Sequence, residues 1–411
     1  MKYKKVKLKD IIFFNPKETI KKNQLAKKIP MDALIPFTRK VGYYEVKEFN
    51  SGTKFRNNDT LMARITPCLE NGKTAYVNIL NEDEIAFGST EYFVLRADEN
   101  YILPKYLYYI SISDKLRNVA IKSMTGTSGR QRAQKESILD FEIELPSISI
   151  QKKVLSILDS IDSKIELNNQ IISNLEELAS TLFKRWFVDF EFPDENGNPY
   201  KSSGGKMDDS EFGKIPEGWE ATSLSDIANY KNGLAMQKFR PDEDEESLPV
   251  LKIKELNQGF TDSNSDRCSI DISDEVKIEN GDVVFSWSGT LLVKIWTGGN
   301  AGLNQHLFKV TSNKFPKWYY YLWTKFYMNK FIGIAKDKAT TMGHIKRQHL
   351  NEAKVLIPSI DMLEKFGKVL GPTIDMVTEK GIENLELSNL RDSLLPKLLS
   401  GEIELPEDEE A

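Results

Sequence analysis

The chain has 411 residues, is 40% hydrophobic and 10% aromatic, and carries 56 Lys and Arg against 61 Asp and Glu, a formal charge of −5. That length accommodates two to three domains and the apolar content excludes global disorder, while a mildly acidic total argues weakly against a nucleic-acid partner. The two cysteines, Cys68 and Cys268, form no Cys-x-x-Cys pair, and no apolar run reaches the length of a membrane span or a signal sequence. The expectation is a soluble cytosolic protein without a disulfide framework or a cysteine zinc site.

In chain order, short apolar runs predict strands at Thr60–Ile65, Ala75–Ile79 and Tyr92–Leu95, followed by an aromatic helix at Pro104–Ile112. A long helix comes next, then a segment from Phe192 to Trp219 rich in Pro, Gly, Ser and Asp that reads as a linker. Strands at Val283–Ser286 and Leu307–Val310, an aromatic helix at Pro316–Tyr327 and a second long helix then repeat the first series. The repetition is visible residue by residue: Leu8-Lys9-Asp10-Ile11 matches Leu224-Ser225-Asp226-Ile227, Leu103-Pro104-Lys105-Tyr106 matches Phe315-Pro316-Lys317-Trp318, and Leu145-Pro146-Ser147-Ile148 matches Ile357-Pro358-Ser359-Ile360. A period of this length is too long for a solenoid and describes one globular unit plus helix, written twice.

The first long helix carries an apolar seam at 4-3 spacing: Val154, Leu158, Ile161, Ile165, then Asn168, then Ile172, Leu175, Ala179, Leu182 and Trp186. Such a seam predicts a coiled-coil partner, and a lone seam Asn fixes register at some cost in stability. From Ser149 to Phe187 it would make a rod of the order of 55 Å. The second helix repeats the stripe through Phe366, Leu370, Ile374, Val377, Leu387, Leu394 and Leu398, with Gly371-Pro372 and Gly381 expected to interrupt it and Pro396 to disturb its end.

Catalytic signatures do not stand out. The sequence contains no Gly-x4-Gly-Lys-Ser/Thr loop, no Gly-x-Gly-x-x-Gly cradle and no Asp/Asn-Pro-Pro-Tyr/Phe tetrad. Its three histidines are His306, His344 and His349, and the i,i+5 spacing of the last two does not suit metal ligation from one helix face. Charge is unevenly spread: residues 1–150 carry 25 basic against 18 acidic residues, Lys105–Lys135 seven against one, and Ser286–Gln348 ten against one. Two basic segments occupy matching places in the repeat. One holds Lys122, Thr125, Ser128, Arg130, Gln131 and Arg132; the other holds Lys338, His344, Lys346, Arg347 and Gln348. Arg and Gln suit guanine and adenine edges, and Lys, Ser and Thr suit phosphates. Lys54, Arg56, Arg64 and Lys73, with Lys231, Lys238, Trp287, Ser288 and Lys294, form looser candidate sets near turns. A solvated charged loop is the competing reading for each segment taken alone.

The run from Gln151 through Asp162, the stretch Leu182-Phe-Lys-Arg-Trp-Phe-Val-Asp-Phe190-Glu-Phe-Pro193, Lys201-Ser-Ser-Gly-Gly-Lys-Met, Ile215-Pro-Glu-Gly-Trp219 and Leu390-Arg-Asp-Ser-Leu-Leu-Pro-Lys-Leu-Leu-Ser-Gly401 resemble the conserved regions of type I restriction–modification specificity (S) subunits. The resemblance spans the chain. It implies an α+β fold with two target recognition domains, at 1–148 and 219–360, joined by an antiparallel coiled-coil pair at 149–190 and 361–400, with a linker at 191–218 and an acidic tail at 401–411. It also implies that each domain reads one half of a split, asymmetric site in double-stranded DNA, while the helices set the spacing and dock two methyltransferase (M) subunits, with two motor–nuclease (R) subunits completing the complex. On this reading the chain is non-catalytic and cytoplasmic, holds no cofactor, and leaves S-adenosylmethionine, ATP and Mg to its partners. Two modules reading one face of B-DNA about one turn apart need a rod of roughly this length. The alternatives are a stand-alone coiled-coil repressor or architectural protein, and a partner-independent nuclease or methyltransferase.

Overall fold

A computed structural model describes residues 3–210, 213–337 and 343–405. It divides into two units: unit 1 is Met1–Ser163 with Leu387–Ala411, and unit 2 is Lys164–Glu386. The division falls inside both long helices, so each unit holds a piece of each.

Unit 1 has two four-stranded sheets. In one, Ile12–Phe14, Tyr92–Ala97, Thr60–Ala63 and Thr74–Tyr76 lie side by side, all antiparallel. The other orders Glu45–Glu48, Leu25–Ile29, Ala86–Gly88 and Thr53–Phe55, with a parallel central pair. Unit 2 builds the same two sheets from Asn229–Asn232, Leu307–Thr311, Val283–Ser286 and Leu292–Ile295, and from Arg267–Ser269, Ser247–Leu251, Ala301–Leu303 and Lys277–Ile278, again with one parallel pair. Thr60–Ala63 is buried throughout, as is Val283–Ser286, which explains why these strands read as continuous apolar runs rather than alternating ones. The aromatic helix differs between units. In unit 1 it is Pro104–Ile112, and Ser113 then turns extended and caps a separate helix, Asp114–Lys122. In unit 2 one helix runs through, Lys317–Asp337, because Lys325 occupies the place of the capping serine and cannot accept the orphan amides.

The first long helix is Ile148–Phe183, continued by a π-helical turn Lys184–Val188. Its start is fixed by buried Gln151, whose Oε1 accepts from Leu103 N–H (2.9 Å) and whose Nε2 donates to the carbonyls of Tyr101 and Pro146 (2.9 and 3.0 Å). The second is Ile360–Ser400, unbroken through Gly371, Pro372, Gly381 and Pro396. This corrects the expected interruptions. The glycines serve close packing: a Cβ on Gly381 would lie 2.6 Å from Thr297 Oγ1, and one on Gly367 3.3 Å from Trp318 Nε1. The chain 191–218, read from composition as a linker, is folded too. Phe192 stacks between Tyr200 and Trp219 (4.5 and 5.4 Å), and Met207–Ser210 pairs with Gly213–Pro216.

The seam of the second helix also needs correction. Phe366, Leu370, Ile374 and Val377 are buried, but the 4-3 register continues through Gly381, Asn384, Ser388, Arg391, Leu395 and Leu398 rather than Leu387 and Leu394, which are half-buried flanks. Hydropathy skipped the true seam because its middle is polar. In unit 1, Val154 and Leu158 share a core with Leu395 and Leu398, and the Asp162 carboxylate accepts from Arg391 Nη1 (3.0 Å) and Tyr109 Oη (2.7 Å). Burial opposes the Arg391 charge, and the carboxylates of Asp392 and Asp162 outweigh it, raising the guanidinium above its ordinary value. In unit 2 the helix pieces run antiparallel: Asn168 donates to Asn384 (3.0 Å), and eighteen residues on in one direction and back in the other Trp186 stacks on Phe366 (4.9 Å). Ile165, Ile172, Leu175 and Leu182 are half-buried, and Ile161 and Ala179 buried.

Candidate nucleic-acid interface

In unit 1 the strand Thr60–Ala63 leaves the sheet through Arg64-Ile65-Thr66, and a distant segment returns alongside it. Ala133 N–H donates to the Arg64 carbonyl (2.8 Å), Thr66 N–H to that of Gln131 (3.0 Å), and Ile65 opposes Arg132. Thr125 and Arg132 exchange both backbone hydrogen bonds (3.1 and 2.9 Å), closing a loop in which Thr125, Ser128 and Arg130 are exposed. Gly129 in that loop has φ +77°, a conformation that costs a side-chain-bearing residue energy. At the root of the loop three charged side chains meet. The Arg132 Nε lies 3.1 and 3.0 Å from the two Glu91 oxygens, and its Nη2 2.6 Å from one of them. The Arg64 Nε is 3.4 Å from Glu91, and its guanidinium lies over the Phe93 ring at 5.3 Å. The Arg132 guanidinium holds the Glu91 carboxyl below the usual carboxylate range.

Among the described residues, unit 2 repeats the contacts between the strand exit and the returning segment. Ile345 N–H donates to the Trp287 carbonyl (3.0 Å), Gly289 N–H to that of Gly343 (3.0 Å), and Ser288 opposes His344. Arg64 N–H donates to the Glu91 carbonyl (3.0 Å), and Trp287 N–H to that of His306 (3.4 Å). The pairings therefore match Arg64 with Trp287, Glu91 with His306, Arg132 with His344 and Phe93 with Phe308. The aromatic floor is kept and the chemistry above it is not. The Trp287 ring sits 5.9 Å from both Phe308 and His306, and 6.4 Å from His344. Trp287 Nε1 and His306 Nδ1 are buried without a hydrogen-bond partner among the described residues. Beside each edge a cation covers an aromatic ring: Lys135 over Phe14 (5.5 Å) and Arg347 over Phe308 (5.7 Å), the latter also donating to the Tyr230 carbonyl (3.1 Å).

The edges thus gather Arg64, Thr125, Ser128, Arg130, Gln131 and Arg132 in unit 1, and Trp287, Ser288, His344, Lys346 and Arg347 in unit 2. The other candidates are placed differently. Arg56 binds Glu18 (2.6 Å), which Arg96 also holds (2.8 Å), and Lys73 donates to the Met31 carbonyl (2.8 Å), so both are tied into the unit 1 fold. Lys54 covers Phe49 (4.8 Å), Lys231 pairs with Glu275, Lys294 donates to the Asn257 carbonyl (2.7 Å) and Gln348 to Glu352 (2.7 Å). Burial pushes the Lys294 ammonium down. Lys122 and Lys238 are exposed, and Lys338 lies outside the described residues. Sequence reasoning missed Glu91 and His306, although aligning Tyr92–Leu95 with Leu307–Val310 sets the two directly opposite each other. Among the described residues no group of three or more His, Cys, Asp or Glu could hold a metal ion, and no helix is long and apolar enough to cross a membrane.

Two copies of one mixed α/β unit, each presenting the same loop edge with different side chains and each sharing in a pair of long helices, define a two-module recognition scaffold. Residues 1–177 and 216–387 match the type I restriction modification DNA specificity domain. The chain belongs to that family, carries its domain twice, and is a DNA specificity subunit, not a catalytic one. It is 26% identical to the type I restriction enzyme MjaIX specificity subunit of Methanocaldococcus jannaschii, over 74% of this chain and 70% of that protein. It is 24% identical to the HindI specificity subunit of Haemophilus influenzae, over 85% and 87% of the two. A crystal structure of the S subunit from M. genitalium shares the fold at a TM-score of 0.52 and 15% identity, covering 97% and 96% of the chains. Membership in this family carries with it DNA and a methyltransferase as partners.

Proposed function

We propose that unit 1 and unit 2 each read one half of a bipartite, asymmetric sequence in double-stranded DNA. The observation that carries this is the loop edge built twice on one backbone frame with unlike side chains. Two such edges recognise two different short sequences, whereas identical edges would read a symmetric one. On this reading the paired helices space the units and dock two methyltransferase subunits, and two motor–nuclease subunits complete a restriction complex. S-adenosylmethionine, ATP and Mg belong to those partners, and the assembly works in the cytoplasm. The test is to purify the chain alone and together with its methyltransferase subunit, and to map modified bases on plasmid DNA. The chain alone neither methylates nor cuts, and the complex methylates one split motif. Methylation by the chain alone, or an unsplit motif, overturns the proposal.

A further inference from the structure

Resting on the reading of one half-site per unit, we infer that Arg64 is a specificity-determining residue of unit 1, aimed by Glu91, and that Trp287 takes its place in unit 2. Several observations converge on this. Arg64 and Trp287 occupy one position of a shared backbone frame: each donates its N–H to the carbonyl of the matched residue, Glu91 or His306, and each accepts from the returning segment, Ala133 or Ile345. Both lie against the same aromatic floor, Phe93 or Phe308. Asp59 and Asp282 precede the matched strands, and Pro104 and Pro316 open the matched aromatic segments. On that frame the edge changes from Arg-Glu-Arg to Trp-His-His, a change of hydrogen-bonding chemistry at positions that are half-buried or, at His344, exposed.

The geometry divides the labour within unit 1. Arg132 spends its guanidinium on Glu91 through Nε and Nη2, and its Nη1 lies 3.3 Å from the Arg130 carbonyl. Arg64 makes no side-chain hydrogen bond among the described residues. Its Nε lies 3.4 Å from Glu91 and its guanidinium carbon sits over the Phe93 ring, with the side chain 34% exposed. That leaves the terminal Nη pair without a hydrogen-bond partner among the described residues, beside the exposed loop. A fork of fixed plane matches the O6 and N7 acceptors of guanine, the commonest specific contact in the major groove. Glu91 is a positioning residue: it holds the guanidinium plane and neutralises part of its charge, which reduces its value as a mere phosphate contact. Trp287 has a single N–H, which is buried, and a large apolar face, so unit 2 cannot read guanine at the equivalent place by a bidentate fork.

The test uses the complex of the whole chain with its methyltransferase subunit, acting on a plasmid pool with randomised sites, with methylated motifs read by sequencing. Arg64→Gln, Arg64→Lys and Glu91→Gln are compared with wild type. Arg64→Gln loses the guanine preference at one base pair of one half-site, by on the order of tenfold or more. Arg64→Lys does the same, because an ammonium keeps the charge and loses the fork. Glu91→Gln relaxes that same base pair, and the other half-site stays as in wild type. An unchanged motif in Arg64→Gln overturns the inference. So does full rescue by Arg64→Lys, or uniform loss at every position, either of which marks a phosphate or structural contact. Relaxation in both half-sites overturns it too. If a Gln variant fails to fold, judged by melting, Arg64→Lys decides alone. A wild-type complex without a split motif refutes the half-site reading instead, before any variant is compared.

Discussion

Asp162→Leu offers the most demanding test of how unit 1 is held to its helices. The carboxylate and the Arg391 guanidinium have only 5% and 8% of their side-chain surface exposed, and they meet at 3.0 Å with Tyr109 Oη at 2.7 Å. Removing one partner of a buried pair costs about 3–5 kcal/mol, since the remaining charge stays desolvated. Arg391 keeps Asp392 at 2.8 Å, a 63% exposed carboxylate that still supports its charge, so the expected loss lies at the low end, about 3 kcal/mol. In a unit of this size it lowers the melting temperature by roughly 6–12 °C. Calorimetry and urea unfolding measure it. The pair itself contributes little net stability, because an apolar replacement of similar volume is often neutral. Asp162→Leu with Arg391→Met should therefore recover most of the loss, leaving the Tyr109 hydroxyl only its long bond to Asp159 Oδ1 (3.4 Å) at a cost of about 1 kcal/mol. Adding Tyr109→Phe should bring the triple variant near wild type. A single variant that costs under about 1 kcal/mol, or a triple variant as unstable as the single, refutes the reasoning.

Further outcomes follow from other contacts. Gly381→Ala should destabilise unit 2, because its Cβ would meet Thr297 at 2.6 Å, whereas Gly333→Ala, within the helix Lys317–Asp337 and with open space where its Cβ would go, should stabilise it by about 0.5–1 kcal/mol through helix propensity; urea unfolding separates the two. Asn168→Ala removes a buried partner of Asn384 and should cost about 1–3 kcal/mol, read in the same assay. Arg130→Ala should weaken binding to DNA bearing the unit 1 half-site and flatten its salt dependence by about one charge, leaving the other half-site untouched in anisotropy titrations. Lys73→Ala should leave DNA affinity unchanged and lower only the melting temperature, since its ammonium is spent on the Met31 carbonyl. Acid should loosen the unit 1 edge: a carboxyl held low in the folded state, as Glu91 is, adds stability above its unfolded value of about 4.3 that vanishes as pH falls through the folded one. Glu91→Gln should flatten that part of the acid-unfolding curve.

Read alone, the sequence already carries the duplication, the helical seam through Val154, Leu158 and Asn168, and the family resemblance, because hydropathy period and contiguous motifs are local properties of a chain. Through charge it also singles out two segments, Lys122–Arg132 and Lys338–Gln348, as candidates for contact with DNA. It misplaces the second seam at Leu387 and Leu394, since a hydropathy stripe cannot follow a register that passes through Asn384 and Arg391. It reads Gly371, Gly381 and Pro396 as breaks, because the partners that make close approach favourable, Trp318 and Thr297 among them, lie far away in the chain. Which cations are spent inside the fold and which face outward was likewise invisible: Arg56 and Lys73 are engaged by Glu18 and the Met31 carbonyl, while Arg130 is exposed. The meeting of Arg64, Glu91 and Arg132, and its counterpart of Trp287, His306 and His344, belongs to the tertiary structure. Each set joins residues tens of positions apart through backbone pairing, and such pairing is decided by how strands and returning loops pack, not by the composition of any one segment.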